Sequence, residues 1–397
     1  MRVGPARVAL NAQLLFGPAS YRSAGIHHYI DCLLRGLPEA GPDLRYTVFV
    51  GAGQPQMPGA DIRRTAWPTA RPWARILWEQ IVQPIELMRL RPDLLHSLAF
   101  VSPFRPPCPA VVTVYDLSFK LTPDRFPPAQ RLYLSAFTAR SCHRARRVIA
   151  ISESTRSDVV RLFGVPRSKV DVAYPGVSET FRPLPAEAVA ALRSERKLPD
   201  PFVLYLGTLE PRKSVDTLVK AFAEARRAGA GANSRLHLVL AGARGWWYED
   251  LFRLIQSLDL TDVVHLPGYV PEAELPLWYN AAAVFVYPSS YEGFGLPVAE
   301  ALACGRPVVT TTVSSLPEAG GDAALLVPPG DVPALADGIQ RALRLSPEEL
   351  ARGPAHSALF TWADTAAKTV AAYRLALQRA AGGTGARASA STPAQRL

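Results

Sequence analysis

Two glutamates, Glu292 and Glu300, stand eight residues apart in the stretch "YEGFGLPVAE", around a turn that carries Gly293 and Gly295. Upstream, "GTLEPRKSVDTLV" sets Arg212 and Lys213 side by side, shortly after Gly207 and Thr208 close an apolar run. Carboxylates accept hydrogen bonds from sugar hydroxyls, paired cations neutralise phosphate, and glycines let a ligand approach the backbone where a Cβ would collide. Together these residue types suit the handling of a sugar carried on a diphosphate.

Local patterning says where each group must sit. In "AAAVFVYPSSYEGFGLPVAEALACG" a buried strand ends at Pro288, and Pro297 opens a helix that ends before Gly305. Proline suits a first helical turn because its missing N–H would have no partner there. The amides from Gly293 through Phe294 and Gly295 to Leu296 are therefore predicted to point outward from a helix start, a geometry that takes phosphate or sugar hydroxyls. Glu292 precedes this turn and can accept from sugar hydroxyls, while Glu300, about one turn into the helix, can hold a ribose diol.

Taken alone, the two glutamates would also suit a helix-dipole partner and a solvated loop charge. A second loop shifts the weight away from those structural readings, although either of its cations alone would also suit a solvated turn. In "PFVLYLGTLEPRKSVDTLVKAF" a buried strand runs into Gly207, and Arg212 and Lys213 precede a helix beginning near Ser214. Two cations beside a helix start at a strand's carboxyl end are arranged for a diphosphate.

The elements that position these loops alternate along the chain. The first half offers strands at "RVALNAQLLF", "RYTVFVG", "DLLHSLA", "AVVTVYDLSF" and "RVIAIS", with helices between them. The proline-rich "VSETFRPLPAEAV" interrupts near residue 180, and alternation resumes with "PFVLYLGTL", "RLHLVLAG", "VVHLPGYV", "AAAVFVYPS", "RPVVTTTV" and "AALLVPPG". Continuous apolar strands separated by helices predict parallel sheets covered on both faces, so an α/β chain with two doubly wound domains and a ligand cleft between them. The expected division is 1–180, 181–360, a helix over 361–382 that returns to the first domain, and a disordered tail over 383–397.

The chain has 397 residues and a formal charge of +10. Residues 1–180 hold 23 Lys and Arg against 13 Asp and Glu, whereas 181–397 hold 21 of each, so the excess lies in the first half. A basic domain can face nucleic acid, an anionic membrane or a phosphorylated substrate. Nucleic acid is not expected, since no recognition helix or aromatic stacking sheet is legible. Peripheral contact with an anionic membrane stays open. The stretch "RPWARILWEQIVQPIELMRL" sets Trp73, Ile76, Leu77 and Trp78 among arginines. Its imperfect two-sided pattern favours a helix covering the sheet, with its tryptophans in the core.

No run approaches the roughly 18 apolar residues of a spanning helix. The opening "MRVGPARVALNAQLLFG" reads as a first buried strand rather than a signal peptide, because Asn11 and Gln13 interrupt it. Cys32, Cys108, Cys142 and Cys304 lie far apart, so neither disulfides nor zinc are expected, and the cytoplasm, including the inner face of its membrane, fits.

The succession "GTLEPRKSVDTLV", "VVHLPGYVPEAELPLWYNAA", "VYPSSYEGFGLPVAEALACGRPVV" and "SSLPEAGGDAALLVPPGD" resembles the retaining glycosyltransferases of family 4, which have the GT-B fold. The likeness extends through "YRSAGIHHYIDCLLRGL", "DLLHSLAF", "VVTVYDLSFK" and "RVIAISESTRSDVVRLFGVPRSKVDVAYPGV". It implies two Rossmann-like domains facing each other across a cleft, an acceptor held by the first and a nucleotide sugar by the second, and transfer with retained anomeric configuration.

By that likeness Arg212, Lys213 and Glu292 carry catalysis. Glu300 holds the ribose, and Gly207, Thr208, Gly268, Tyr269 and the Gly293–Leu296 backbone hold the rest of the donor. The likeness implies neither a metal nor another cofactor, and no Asp-x-Asp is present. Gly25, His96, Tyr115 and Asp116 are expected at the acceptor side or the cleft. Tyr115 stands where many relatives have histidine, and Asp116 is expected either to orient an acceptor hydroxyl or to end the strand. His27 and His28 read as structural. The loops "VYDLSF" and "EPRKSVDTLVKAF" look mannosyltransferase-like, so transfer of mannose from GDP-mannose to a glycan or lipid-linked saccharide is expected. A UDP-sugar or dTDP-sugar transferase, or an inactive sugar-nucleotide-binding scaffold, are the alternatives.

Overall fold

Strands of three to seven residues, most of them apolar runs, form two sheets in the computed structural model, which describes residues 4–15, 24–123, 126–228, 235–243 and 248–381. The first sheet contains β1 (Ala6–Asn11), β2 (Leu44–Val50), β3 (Asp61–Arg64), β4 (Leu94–Ser97), β5 (Ala110–Val114), β6 (Arg147–Ala150) and β7 (Val170–Val172). The second contains β8 (Phe202–Leu206), β9 (His237–Ala241), β10 (Val264–Gly268), β11 (Val284–Tyr287), β12 (Val308–Thr311) and β13 (Leu325–Val327). Their orders are β3-β2-β1-β4-β5-β6-β7 and β10-β9-β8-β11-β12-β13. Every pairing is parallel, and each order reverses beside the first strand of its sheet. Ligands of open parallel sheets sit at such reversals, beyond the carboxyl ends of the strands. The loops after β8 and β11 leave from that point in the second sheet.

Two strands, β3 and β7, were not expected from the sequence. Both are edges with one neighbour each, and "DIRR" and "VDV" lack the continuous apolar run of a central strand.

The chain crosses between the sheets twice. It leaves the first sheet after β7, and it returns near Phe360 into the helix Trp362–Ala381, which packs on the helix Ala24–Ala40 and touches β4 to β7. Where the crossings meet, the Val177 N–H donates to the Phe360 carbonyl at 3.0 Å, and Thr365 Oγ1 donates to the Tyr174 carbonyl at 2.6 Å. They pass so closely that a Cβ on Gly176 would lie 2.2 Å from the Trp362 nitrogen.

The helical stretch over residues 72–90 departs from its reading. Trp78 is buried against Phe49, but Trp73 is 57% exposed. All four cysteines are free thiols. Among the described residues no helix is long and apolar enough to cross a membrane. The expected tail, 383–397, lies outside the described residues.

Candidate active site

The turn after β8 is a 3-10 segment, Pro211–Lys213, and the helix Val215–Ala228 follows it. Arg212 spreads its guanidinium over three acceptors. Nε and Nη2 reach Glu210 Oε1 at 3.1 and 2.9 Å, and Nη1 reaches the Tyr291 carbonyl at 2.6 Å and Glu292 Oε2 at 3.1 Å. Lys213 is buried, with Nζ 2.6 Å from Glu292 Oε1 and a short bond to the Tyr287 hydroxyl. The loop after β11 is sewn to this turn by Ser290, whose N–H and hydroxyl both donate to the Arg212 carbonyl at 2.9 Å. Residues 78 and 79 positions apart are thereby joined into one cation–carboxylate cluster.

Glu292 is the hub of that cluster. Its Oε1 accepts from Lys213 and, at 2.6 Å, from Ser289 Oγ, while Oε2 has Arg212. Each carboxylate oxygen has two lone pairs, so the remaining acceptor capacity lies on Oε2. Burial alone would raise this carboxyl, but Lys213 and Arg212 bring it down to about 2, so it is ionised at neutral pH. Burial and the neighbouring Arg212 lower the Lys213 ammonium, with Glu292 opposing them.

The helix Leu296–Ala303 starts where the sequence places it, with Pro297 in its first turn. Gly295 caps it at φ 107°, a conformation open to glycine and strained for other residues. Gly293 differs from its reading. A Cβ there would lie 2.2 Å from the Tyr115 carbonyl oxygen, so its missing side chain makes room for the first domain's backbone rather than for a ligand. Phe294 is buried against Tyr174 and Phe360, and Leu296 opens the helix.

Glu300 projects from this helix into a buried position, where the Tyr279 hydroxyl donates to its Oε2 at 2.8 Å. Burial raises the carboxyl to about 7, and the Tyr279 bond offsets part of that rise. Its charge is felt by an ion pair that spans the two domains, His28 Nδ1 to Glu272 Oε1 at 2.9 Å. Burial opposes the charged imidazole of His28, but its bonds to Cys32 and Glu272 prevail and raise it. His28, read as structural, thus reaches across the cleft to the second domain.

The remaining expected residues divide. Gly207 and Thr208 follow β8 at its carboxyl end, and the Thr208 carbonyl accepts from the Tyr205 hydroxyl at 3.0 Å. Gly268 closes β10 with φ 85°, and Tyr269 beside it is exposed. Gly25 lies in the first turn of Ala24–Ala40, with open space where a Cβ would stand.

His96 is corrected to a core residue. It is fully buried, with Nδ1 2.6 Å from the Tyr373 hydroxyl and Nε2 2.8 Å from Thr113 Oγ1. Burial lowers it to about 3, so it pins the final helix as a neutral ring. Tyr115 likewise turns inward, donating to the Leu98 carbonyl at 2.7 Å, which uses the proton expected in the cleft. Asp116 Oδ1 accepts from the Ser118 N–H and hydroxyl at 2.9 and 2.7 Å, ending the strand and starting the short helix Ser118–Leu121. Its charge still reaches Arg212 and Tyr291.

Several contacts that close the cleft had no local signal in the sequence. The Tyr291 hydroxyl accepts from the Leu117 N–H at 3.1 Å and donates to Asp158 Oδ2 at 3.0 Å. Glu318, from the second domain, accepts the N–H groups of Glu153 and Ser154 at 2.7 Å each, capping the first-domain helix Glu153–Phe163. The Tyr174 hydroxyl adds a bond to Glu318 at 2.8 Å.

Comparison with known proteins meets this geometry from both halves of the chain. Residues 23–181 match the family model described as Glycosyltransferase Family 4, and residues 191–355 the model for Glycosyl transferases group 1. O-antigen chain mannosyltransferase B of Escherichia coli is 36% identical over 270 residues, covering 67% of this chain and 70% of that protein. A D-inositol 3-phosphate glycosyltransferase of Frankia alni is 37% identical over 246 residues, covering 59% of this chain and 60% of that protein. Among solved structures, sucrose-phosphate synthase from Thermosynechococcus elongatus superposes with a TM-score of 0.73 at 25% identity, covering 95% of this chain and 100% of the other. With one family model on each domain and the cation–carboxylate cluster at the sheet reversal between them, the chain belongs to the group 1 glycosyltransferases of family 4, built on the GT-B fold.

Proposed function

We propose that this glycosyltransferase moves a hexose, with mannose from GDP-mannose as the leading donor, to a hydroxyl of a glycan or lipid-linked saccharide with retained anomeric configuration. One observation carries the reading: Arg212 and Lys213 converge on Glu292 at 3.1 and 2.6 Å, at the carboxyl edge of a parallel sheet. Breaking a sugar–diphosphate bond builds positive charge on the sugar and negative charge on the leaving group. Fixed cations therefore stabilise the transition state more than the ground state. In this reading Arg212 and Lys213 take the departing diphosphate, Glu292 Oε2 orients the sugar, Glu300 holds the ribose diol, and the turn at Gly268 and Tyr269 lies beside the base. No metal or other cofactor takes part. The relative named as a mannosyltransferase favours mannose, while the relative named for inositol phosphate keeps a different donor and acceptor as the second reading.

Calorimetry tests the donor. GDP-mannose, UDP-glucose, UDP-N-acetylglucosamine and dTDP-rhamnose are titrated in EDTA into wild type and Glu300→Ala. Binding of GDP-mannose that Glu300→Ala abolishes supports the proposal, and binding of another donor reassigns the sugar. If no donor binds, or the variant binds equally well, the chain is better read as an inactive scaffold. Retention is read from the anomeric proton coupling of the product by NMR.

A further inference from the structure

Between Pro72 and Leu90 the first domain carries a continuous helical rod, Pro72–Leu77 and Gln83–Leu90 joined by a π-helical turn at Trp78–Val82. The rod is apolar on two sides, since Ala74, Trp78 and Leu87 are buried in the core beneath it. Glu79 and Gln83 are buried with them, while the water-facing side presents Trp73, Leu77, Ile81, Ile85 and Met88, each between 41% and 57% exposed. Spacings of four, four, four and three residues line these five side chains along one face. An ordinary surface helix points its apolar stripe at the core. This rod does so with Trp78 and Leu87, yet it also carries a second apolar ridge on the outside, and an exposed patch of this kind marks an interaction surface.

Charge identifies what the ridge meets. Arg71 and Arg75 stand at its start, and Arg89 and Arg91 at its end. The one acidic residue of the rod outside the buried face is Glu86, held by Arg89 at 3.1 Å and Arg63 at 3.8 Å. Phe104, also exposed, is tethered beside the rod by its N–H to Gln80 Oε1 at 2.8 Å, with the Arg140 guanidinium stacked 3.4 Å above its ring. The helix Pro128–Arg144 contains no acidic residue and exposes Leu132 next to Arg131. A second copy is a poor fit to such a face, because a two-fold contact would set these arginines against one another. An anionic bilayer fits both components, with apolar side chains entering the headgroup boundary and arginines remaining on lipid phosphate.

We propose that the Trp73–Met88 ridge docks this chain on an anionic lipid surface. The rod begins after the carboxyl end of β3 and runs down to the amino end of β4, so Trp73 stands at the end of the sheet that opens on the cleft. A saccharide carried by the membrane would reach the acceptor side there. The docking surface holds whatever the identity of the donor.

The test is flotation of the full chain with vesicles of phosphatidylcholine alone and of equimolar phosphatidylcholine and phosphatidylglycerol. The variants are Trp73→Ser/Ile81→Ser/Met88→Ser and Arg71→Gln/Arg75→Gln/Arg131→Gln. All six side chains lie outside the donor cluster, so matched melting curves and donor binding establish that the variants are folded. Wild type is expected to float with the anionic vesicles and not with the neutral ones, and each triple variant to bind at least about tenfold more weakly. Equal flotation of wild type and the serine variant overturns the proposal, as does failure of wild type to bind anionic vesicles. A concentration-dependent dimer in sedimentation, dispersed by the serine variant, would reassign the ridge to self-association.

Discussion

Lys213 and Glu292 form a buried ion pair at 2.6 Å, and Arg212 shares the same carboxylate from the other side at 3.1 Å. Glu210 takes the outer edge of Arg212, so two cations and two carboxylates share the cluster, and a ligand diphosphate would compete with them for Arg212 and Lys213. Replacing Lys213 by alanine leaves Glu292 paired with Arg212, so the fold should persist while leaving-group stabilisation is lost. A loss of about 3 to 4 kcal/mol of barrier stabilisation, roughly 100- to 1000-fold in turnover, is expected. Steady-state kinetics beside a circular dichroism melt check it. Near-normal turnover in a folded variant would remove Lys213 from the mechanism.

If Glu300 holds the donor as proposed, its raised carboxyl gives donor binding a pH dependence. Its carboxyl is raised from 4.5 to about 7, so the folded chain holds a proton there that the unfolded chain has released. Stability attached to this group therefore falls as pH rises between those two values. A ribose diol is gripped best by the ionised form, so donor affinity should rise across the same region, with a break near 7. Calorimetry at a series of pH values should show the break in wild type and not in Glu300→Gln. A flat profile in wild type would mean that Glu300 does not contact the donor.

Gly293→Ala should hold the domains apart. The added methyl would meet the Tyr115 carbonyl at 2.2 Å, and backbone cannot swing aside as a flexible side chain can. Overpacking of this kind costs about 1 to 3 kcal/mol. Small-angle scattering is expected to give a larger radius of gyration, with a fall in turnover and with each domain still folded. An unchanged radius would show that the contact is not needed for closure.

Tyr115→Phe separates packing from chemistry. The hydroxyl donates to Leu98 within the first domain, so its loss should cost about 0.5 to 1.5 kcal/mol of stability and leave turnover close to wild type. Urea unfolding and initial rates measure the two quantities separately. A large fall in turnover with unchanged stability would return Tyr115 to the cleft.

Glu318→Ala removes a charged cap from the helix Glu153–Phe163. Two N–H groups lose a carboxylate at 2.7 Å, and about 1 to 2 kcal/mol of stability should go with it. The denaturation midpoint reads this directly, and no change would indicate that water replaces the carboxylate without loss.

The strands of both sheet interiors were legible because a strand buried on two faces must be apolar throughout, as "FVLYL" and "VFVY" are. Edge strands escape that demand, and β3 and β7 were passed over for this reason. Arg212, Lys213, Glu292 and Glu300 could be found because each stands at a fixed offset from a strand end or helix start. His96 and Tyr115 could not be placed the same way. Each closes an apolar strand just as a cleft residue does, and only partners distant in sequence, Tyr373 for one and Leu98 for the other, turn them inward. The pairs His28–Glu272 and Glu318–Glu153 were invisible for a related reason, since nothing within a local window marks a partner more than 150 residues away.

The two crossings between the domains lie side by side and are bonded to each other through Val177 and Phe360, with Gly176 against Trp362. A body tethered at a single point can swivel in any direction, whereas one tethered at two joined points keeps a single easy rotation, about the line through both. Opening and closing of the cleft is thereby reduced to one soft coordinate, and twisting of one domain over the other becomes the stiff one. The same arrangement gives the first domain a piece from each end of the described chain. Severing the protein near residue 180 would leave an amino-terminal fragment without the helix that covers His96, and a carboxyl-terminal fragment carrying a helix with no sheet of its own to cover.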